Sequence, residues 1–460
     1  MSATASASQP RIDVGRLIDD RPWSTAQFIA VAVAALAIVL DGFANQALAL
    51  SIPMLIKTWK VARDDFQWVQ VVGYAGMALG TVIFGIIGDR AGRRPTLIAA
   101  VLLFALPTTA IAFTSGLPAL YPLRFIGGMG LGGCMPNATS LLAELTPARH
   151  RSLAVTSAIV GIPLGGTLGG LVASGVPAEH WPALYLAGGL TPLVIAAIMA
   201  LVLPESPRFL ATRPARWPEL RRLLARFGME VSANSAFVED ARAAGDVRRP
   251  GLRELLTPGL RRDTLSLWGA FFFTLLSVYG VLNWLPTILA QAHYPAALSS
   301  TGLMWFNLGG IVAALAGGAA FNRFGSRACM TGLAAGAILA SAWLWTLPLD
   351  PAVSPATLLL ALALQGGFIN GVQTTMWALA AFVYPTGIRS AGVGWASGIG
   401  RLGSIVSPLV GLYVLRAAGP HAFFLCFGVT MTVSLICLLA IANHLPRRVK
   451  LTAVEAALEA

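Results

Sequence analysis

Apolar stretches of similar length recur along the chain, at 24–52, 67–88, 94–114, 117–143, 151–175, 181–203, 264–290, 299–321, 328–347, 355–383, 388–415 and 420–443. About 20 apolar residues in a helix cross the hydrocarbon core of a bilayer, and each stretch meets that length. The pattern predicts an all-α membrane protein with twelve transmembrane helices. Six stretches precede the polar segment 204–263 and six follow it. The expected organisation is an N-terminal tail (1–23), a six-helix half (24–203), a linker loop (204–263), a second six-helix half (264–443) and a C-terminal tail (444–460).

Composition agrees with this pattern. Of 460 residues, 56% are hydrophobic and 11% charged, against about 25% charged in soluble domains. The net charge of +12 points to basic loops on the cytoplasmic side of a membrane rather than to nucleic acid. The basic junctions are Arg90, Arg93 and Arg94, then Arg149 and Arg151, the linker, Arg323 and Arg327, Arg389, and the tail with Arg447, Arg448 and Lys450. Positive residues stay inside, so both termini are expected in the cytoplasm of a cell whose inner membrane holds the chain. Residues 1–23 lack the apolar core of a cleaved signal. The linker segment 219–228 reads as an amphipathic helix on the membrane surface. The four cysteines, Cys134, Cys329, Cys426 and Cys437, lie in apolar stretches without metal-ligand spacing, so no metal and no disulfide framework is expected.

The halves repeat one another. Gly85, Arg90, Gly92 and Arg94 recur as Gly318, Arg323, Gly325 and Arg327, and the run 147–152 echoes 385–390. Duplicated halves are typical of transporters that rock one half against the other around a central site. The run GDRAGRRP at 88–95 is a tight turn between two helices. Asp89 is expected against a helix N-terminus of the other half, and Arg90, Arg93 and Arg94 on acids or lipid phosphates. With Arg323 these form a candidate cytoplasmic gate. The run resembles the loop signature of the major facilitator superfamily; its second-half copy carries Asn322 in place of the acid.

Ionisable side chains within spans are costly and are functional candidates. Asp41 lies deep in the first span, Arg124 lies at a similar depth in the fourth, and the two are expected within pairing reach. Glu144 ends the fourth span near Arg90, Arg93 and Arg94, and has a gating and a proton-carrying reading. Asp41, Arg124 and Glu144 form the candidate proton-coupling set. Arg401 lies about 20 Å beyond Arg389 along its helix, near the midplane, where such transporters hold substrate. Its guanidinium suits a carboxylate because it binds both oxygens. Asn283, Trp284, Trp305, Asn307, Gln365, Asn370, Gln373, Trp377 and Trp395 are the further candidates for lining a substrate site.

The DGF at 41–43, the RFIGGMGLGGCMPN at 124–137, the NWLP at 283–286 and above all YPTGIRSAGVGWASGIGRLGSIVSP at 384–408 resemble the aromatic acid:proton symporter family. That family pairs two acids as DGxD in its first helix, whereas this chain has Ala44 at the second position. The PESPRF at 204–209 also resembles sugar and organic-cation relatives. The resemblance implies a monomeric, proton-coupled importer of small organic anions such as benzoate-like carboxylates. The proton gradient is its energy source; it uses no cofactor, binds no nucleic acid and is not an enzyme. Arg401 is the implied carboxylate clamp, Asp41 the proton carrier and Arg124 its modulator. The alternatives are a proton-antiport exporter of drugs or metabolites, and an importer of a non-aromatic carboxylate or sugar-like solute. The helix-5 run GIPLGGTLGG at 161–170 lacks the Gly-Pro spacing expected of exporters.

Overall fold

The computed structural model describes residues 11–232, 235–238, 252–350, 355–385 and 388–446. The basic C-terminal tail, the linker residues 239–251 and the side chain of Asn322 lie outside them. In chain order the elements are β1 (Arg11–Asp13), α1 (Val14–Asp19), α2 (Thr25–Trp59), α3 (Phe66–Ala91), α4 (Arg93–Ile111), α5 (Leu117–Leu145), α6 (Ala148–Gly175) and α7 (Pro182–Val202). Then come α8 (Pro207–Ala211), α9 (Trp217–Arg226), β2 (Ala236–Val238), α10 (Leu252–Leu255), α11 (Arg261–Gln291), α12 (Ala296–Phe324), α13 (Ser326–Thr346), α14 (Pro355–Val383) and α15 (Arg389–Ala440).

Among the described residues, ten helices are long and apolar enough to cross a membrane. One of the ten is α15, which breaks at Gly419, where φ is 79° and Pro420 follows, so it supplies two spans. Only glycine adopts such a φ without strain. The 29-residue α5 is also of spanning length; its glycines, Arg124 and Asn137 make it less apolar than its neighbours. With α5 and both arms of α15, the helices α2–α7 and α11–α15 supply twelve spans.

Two compact units form. Of the described residues, the first holds those in 11–61, 72–169 and 176–238, and the second those in 62–71, 170–175 and 252–446. In the first, α2 packs on α5 and α7, and α4 on the same two helices. Glycines allow the closest approaches: a Cβ on Gly165 of α6 would stand 1.8 Å from the Val39 carbonyl oxygen. In the second, α11 packs on α15 and α12 on α14, while α13 meets α14 and α15. The Thr274 and Ser277 hydroxyls meet those of Ser434 and Thr430 at 2.8 and 2.7 Å. These polar pairs satisfy hydroxyls that have no water partner in hydrocarbon.

The polar ends are more ordered than their sequence suggests. Helix α2 opens with a capping box in which Ser24 and Gln27 satisfy each other's backbone N–H groups. The N-terminal segment is not a plain tail: β1 pairs with β2 in parallel, Val14 and Ile18 are buried, and Asp19 pairs with Arg151. Helix α9 differs from the expected membrane-surface helix. Its Leu220, Leu223 and Leu224 are buried within the protein, so its apolar face is already covered.

Candidate functional site

Asp41 is 7% exposed, sixteen residues into α2, or about 24 Å along the axis at 1.5 Å per residue. The neighbouring Gly42 presses on α6, where its Cβ would stand 2.1 Å from the Ile162 carbonyl oxygen. The Cys134 thiol lies 3.8 Å from the Ala37 carbonyl, one turn before Asp41. Arg124 on α5 is also buried, and its guanidinium donates to the carbonyls of Ala44 and Asn45 at 3.3 and 3.4 Å. These carbonyls lie about one turn past Asp41, so Arg124 contacts the α2 backbone just beyond the acid. Its Nε is buried without a hydrogen-bond partner. Tyr74 and Tyr185 are within electrostatic range of Arg124, and the Tyr185 hydroxyl is 2.7 Å from Ser51.

The predicted gate residues of the first unit assemble around the α3–α4 turn. Asp89 accepts from Arg93 at 2.6 Å, one helical turn away. The Arg93 Nε is 3.9 Å from Glu144, which also accepts from the Ser206 hydroxyl. Glu144 therefore belongs to this cluster. Arg94 donates to the Ala200 carbonyl, and the Arg90 carbonyl accepts from Arg213. The acid at a helix N-terminus is Glu205, in place of the expected Asp89. Its Oε1 accepts from the backbone N–H groups of Arg93, Arg94 and Ser206 at 2.9, 3.1 and 2.9 Å. Asp89 is bound to its own turn by Arg93, while Glu205 is 3% exposed and lies on the positive end of α4. Gly92, at φ 110°, makes the turn, and a Cβ there would stand 2.2 Å from Glu205.

The second unit repeats this plan, but among the described residues no carboxylate accepts from the first N–H groups of α13; its nearby acid, Asp263, accepts from the Ala442 and Asn443 N–H groups at 2.7 and 3.2 Å. Gly325, at φ 83°, precedes α13. The Ser326 N–H donates to the Leu445 carbonyl at 3.1 Å, and the Leu445 N–H donates to the Ser326 hydroxyl at 2.8 Å. The His444 ring bridges Ser326 and the Leu438 carbonyl at 3.0 and 3.2 Å. Burial holds its pKa below the ordinary histidine value; Arg327 adds to this, and the Leu438 bond and Asp263 oppose it. Arg323 is exposed and lies over the Phe324 ring at 5.4 Å.

Arg401 on α15 is half-buried, and its Nη1 donates to the Tyr279 hydroxyl on α11 at 3.0 Å. Gly394 and Gly398 precede it on one face, and nothing lies within 4 Å of where their Cβ atoms would stand. That glycine face is therefore open. Asn283, one turn after Tyr279, donates to Ser407 at 3.3 Å. Asn370, Gln373 and Trp377 form one half-buried stripe on α14. Trp377 meets Phe271 edge-on at 5.3 Å, and Trp395 lies 6.1 Å from Trp268. Other candidates are placed elsewhere. Trp284 is fully buried, with its indole N–H on the Pro408 carbonyl at 3.1 Å, a packing role. Gln365 is buried and donates to Ser341 at 3.0 Å. Trp305 lines an apolar groove of about 570 Å³ between α12, α13 and α14. Asn307, two residues on, is buried on a different face of α12 and donates to the Leu303 carbonyl at 2.8 Å. Sequence reasoning missed Tyr279 and Glu205. The spacing of Tyr279, four residues before Asn283, was the available signal for the first.

The major facilitator superfamily model matches residues 34–353 and 305–458. The chain is 33% identical to a gallate transporter of Pseudomonas putida over 432 residues, 93% of this chain and 95% of the relative. It is 35% identical to the 4-hydroxybenzoate transporter PcaK of Pseudomonas aeruginosa, over 90% of this chain and 92% of the relative. A benzoate transport protein of Acinetobacter baylyi is 27% identical over 94% of this chain and 93% of the relative. Among solved structures, the partially occluded inward-open xylose transporter XylE of Escherichia coli superposes with a TM-score of 0.74 at 17% identity, covering 92% of this chain and 99% of that one. Twelve spans, the two glycine turns and matches over nearly the whole length lead to one assignment: the chain belongs to the major facilitator superfamily, a multi-pass membrane transporter and not an enzyme.

Proposed function

We propose that the protein imports small aromatic carboxylates, of the hydroxybenzoate and benzoate class, together with protons across the bacterial inner membrane. The observation that carries this reading is Arg401, held by Tyr279 beside an open glycine face. A guanidinium at that place binds both oxygens of a carboxylate. The Trp268–Trp395 pair on α11 and α15, and Trp377 of α14 packed on the buried Phe271, offer aromatic surface, and ring contacts favour an aromatic over an aliphatic acid. The relatives named for gallate, 4-hydroxybenzoate and benzoate support the substrate class.

Proton coupling follows from charge. Moving a monoanion inward against a membrane potential costs about 2.3 kcal/mol per 100 mV. One accompanying proton cancels that charge and adds the pH gradient. Asp41 is the carrier, as a buried carboxyl in the middle of α2, and Arg124 sets its field from α5. The cluster of Asp89, Arg93, Glu144 and Ser206 serves as the gate on the cytoplasmic side, with both termini on that side. The test is uptake of labelled benzoate, 4-hydroxybenzoate, gallate, succinate and xylose in a host lacking its own carriers. Uptake of the aromatic acids alone supports the reading; uptake of succinate or xylose in their place refutes it.

A further inference from the structure

The first unit carries a second basic site, remote from Asp41 and Arg124. A pocket of about 290 Å³ opens where α7 ends, between α4, α7 and the linker helix α9. Its charged lining is Arg94, Arg222, Arg226, Glu205 and Glu219. Both carboxylates are engaged elsewhere. Glu205 is held by three backbone N–H groups, and Glu219 takes two bonds from Arg216, each at 2.9 Å. The guanidiniums are less engaged: Arg94 gives one Nη2 bond to the Ala200 carbonyl. The Arg94 Nε is buried without a hydrogen-bond partner. Arg222 and Arg226, one turn apart on α9, are exposed and make no hydrogen bond or ion pair among the described residues. Three guanidiniums around one small pocket suit an oxyanion with several acceptor oxygens, and phosphate has that geometry.

The neighbouring helix selects the source of the phosphate. Leu190, Val194, Ile198 and Leu201 form an exposed apolar stripe along α7, and Leu201, 83% exposed, is at the mouth of the pocket. The stripe runs about 16 Å at 1.5 Å per residue, comparable with an acyl chain in one leaflet. A free phosphate has no use for that surface, whereas a lipid covers it with a chain while its headgroup enters the pocket. We infer that the Arg94–Arg222–Arg226 pocket binds the phosphate of an anionic phospholipid whose acyl chain lies along α7. The basic face of α9 is thus a lipid anchor although its leucines are buried in protein.

The test is lipid titration of the purified full chain in detergent, read by native mass spectrometry, with dioleoyl phosphatidylglycerol and dioleoyl phosphatidylcholine as probes. Wild type is expected to prefer phosphatidylglycerol. Each basic residue near an anionic headgroup contributes about fivefold, so Arg222→Gln with Arg226→Gln is expected to reduce that preference about thirtyfold. Both side chains are exposed, and an unchanged thermal midpoint in detergent checks the fold. Arg253→Gln with Arg261→Gln removes the same charge elsewhere and is expected to keep the preference. Equal binding of both lipids by wild type, or an unchanged preference in the Arg222/Arg226 variant, overturns the inference. Complete displacement of phosphatidylglycerol by millimolar inorganic phosphate overturns the lipid assignment in favour of a soluble anion.

Discussion

Replacing Glu205 tests whether a buried carboxylate holds the α3–α4 turn together. Its Oε1 accepts from three backbone N–H groups at 2.9–3.1 Å, and the residue is 3% exposed. Glu205→Gln keeps an acceptor but loses the charge. A hydrogen bond to a charged group contributes about 1.5–3 kcal/mol and a neutral one about 0.5–1.5. Three bonds each losing roughly 1 kcal/mol, shared on one oxygen and so not fully additive, give an expected loss of about 2–3 kcal/mol. Glu205→Ala leaves the Arg93, Arg94 and Ser206 amides without their acceptor, and is expected to cost more than Gln. Glu219→Gln is the control, because its pair with Arg216 is exposed and such pairs contribute about 0–1 kcal/mol. The assay is denaturant unfolding of the purified protein in mixed micelles. The expected order of stability is wild type, then Glu219→Gln, then Glu205→Gln, then Glu205→Ala. A Glu205→Gln protein as stable as Glu219→Gln would refute the reasoning.

Other outcomes follow from the same geometry. Arg401→Lys keeps the charge and loses the two-pronged contact, so benzoate-class ligands are expected to bind about tenfold to a hundredfold more weakly. Methyl ester analogues should lose affinity for wild type but much less for Arg401→Ala, and additive losses in that two-by-two binding cycle would make Arg401 a structural charge. Asp41→Asn is expected to abolish concentrative uptake while sparing exchange of cargo across the membrane, as counterflow measures. For His444, whose folded pKa is depressed, the unfolded chain takes up the proton first. The stability it supports is present above pH of about 6.5 and is lost as pH falls below that value. Thermal midpoints measured from pH 8 to 5 should therefore fall more steeply for wild type than for His444→Gln.

The fold was the most legible part of the sequence, because hydrophobic length is a strong signal in hydrocarbon. Every predicted span contains a helix, including the pair joined through Gly419 and Pro420. The paired turns at Gly92 and Gly325 were visible as a repeat, and both have positive φ. Polar connections were harder to read. Glu205 was one acid among several in the linker, and nothing local marks it as the cap of a helix whose first residue is 112 positions earlier. The β1–β2 pairing and the burial of the α9 leucines are likewise long-range contacts. Aromatic candidates divided by helix face. Residues 305 and 307 cannot share a face at 3.6 residues per turn, and Trp305 lines the α12–α14 groove while Asn307 is buried. Trp284 shows why tryptophan alone is a weak signal: its size suits packing as well as ligand contact.

The central claim is that aromatic carboxylate and proton move inward together. The most direct measurement uses proteoliposomes of the purified chain, loaded with a pH dye and given labelled 4-hydroxybenzoate outside without any imposed gradient. The account predicts that adding substrate acidifies the lumen, that an imposed inward proton gradient concentrates the label above its external level, and that Asp41→Asn abolishes both. Substrate entry with no acidification, or alkalinisation of the lumen on entry, would contradict it.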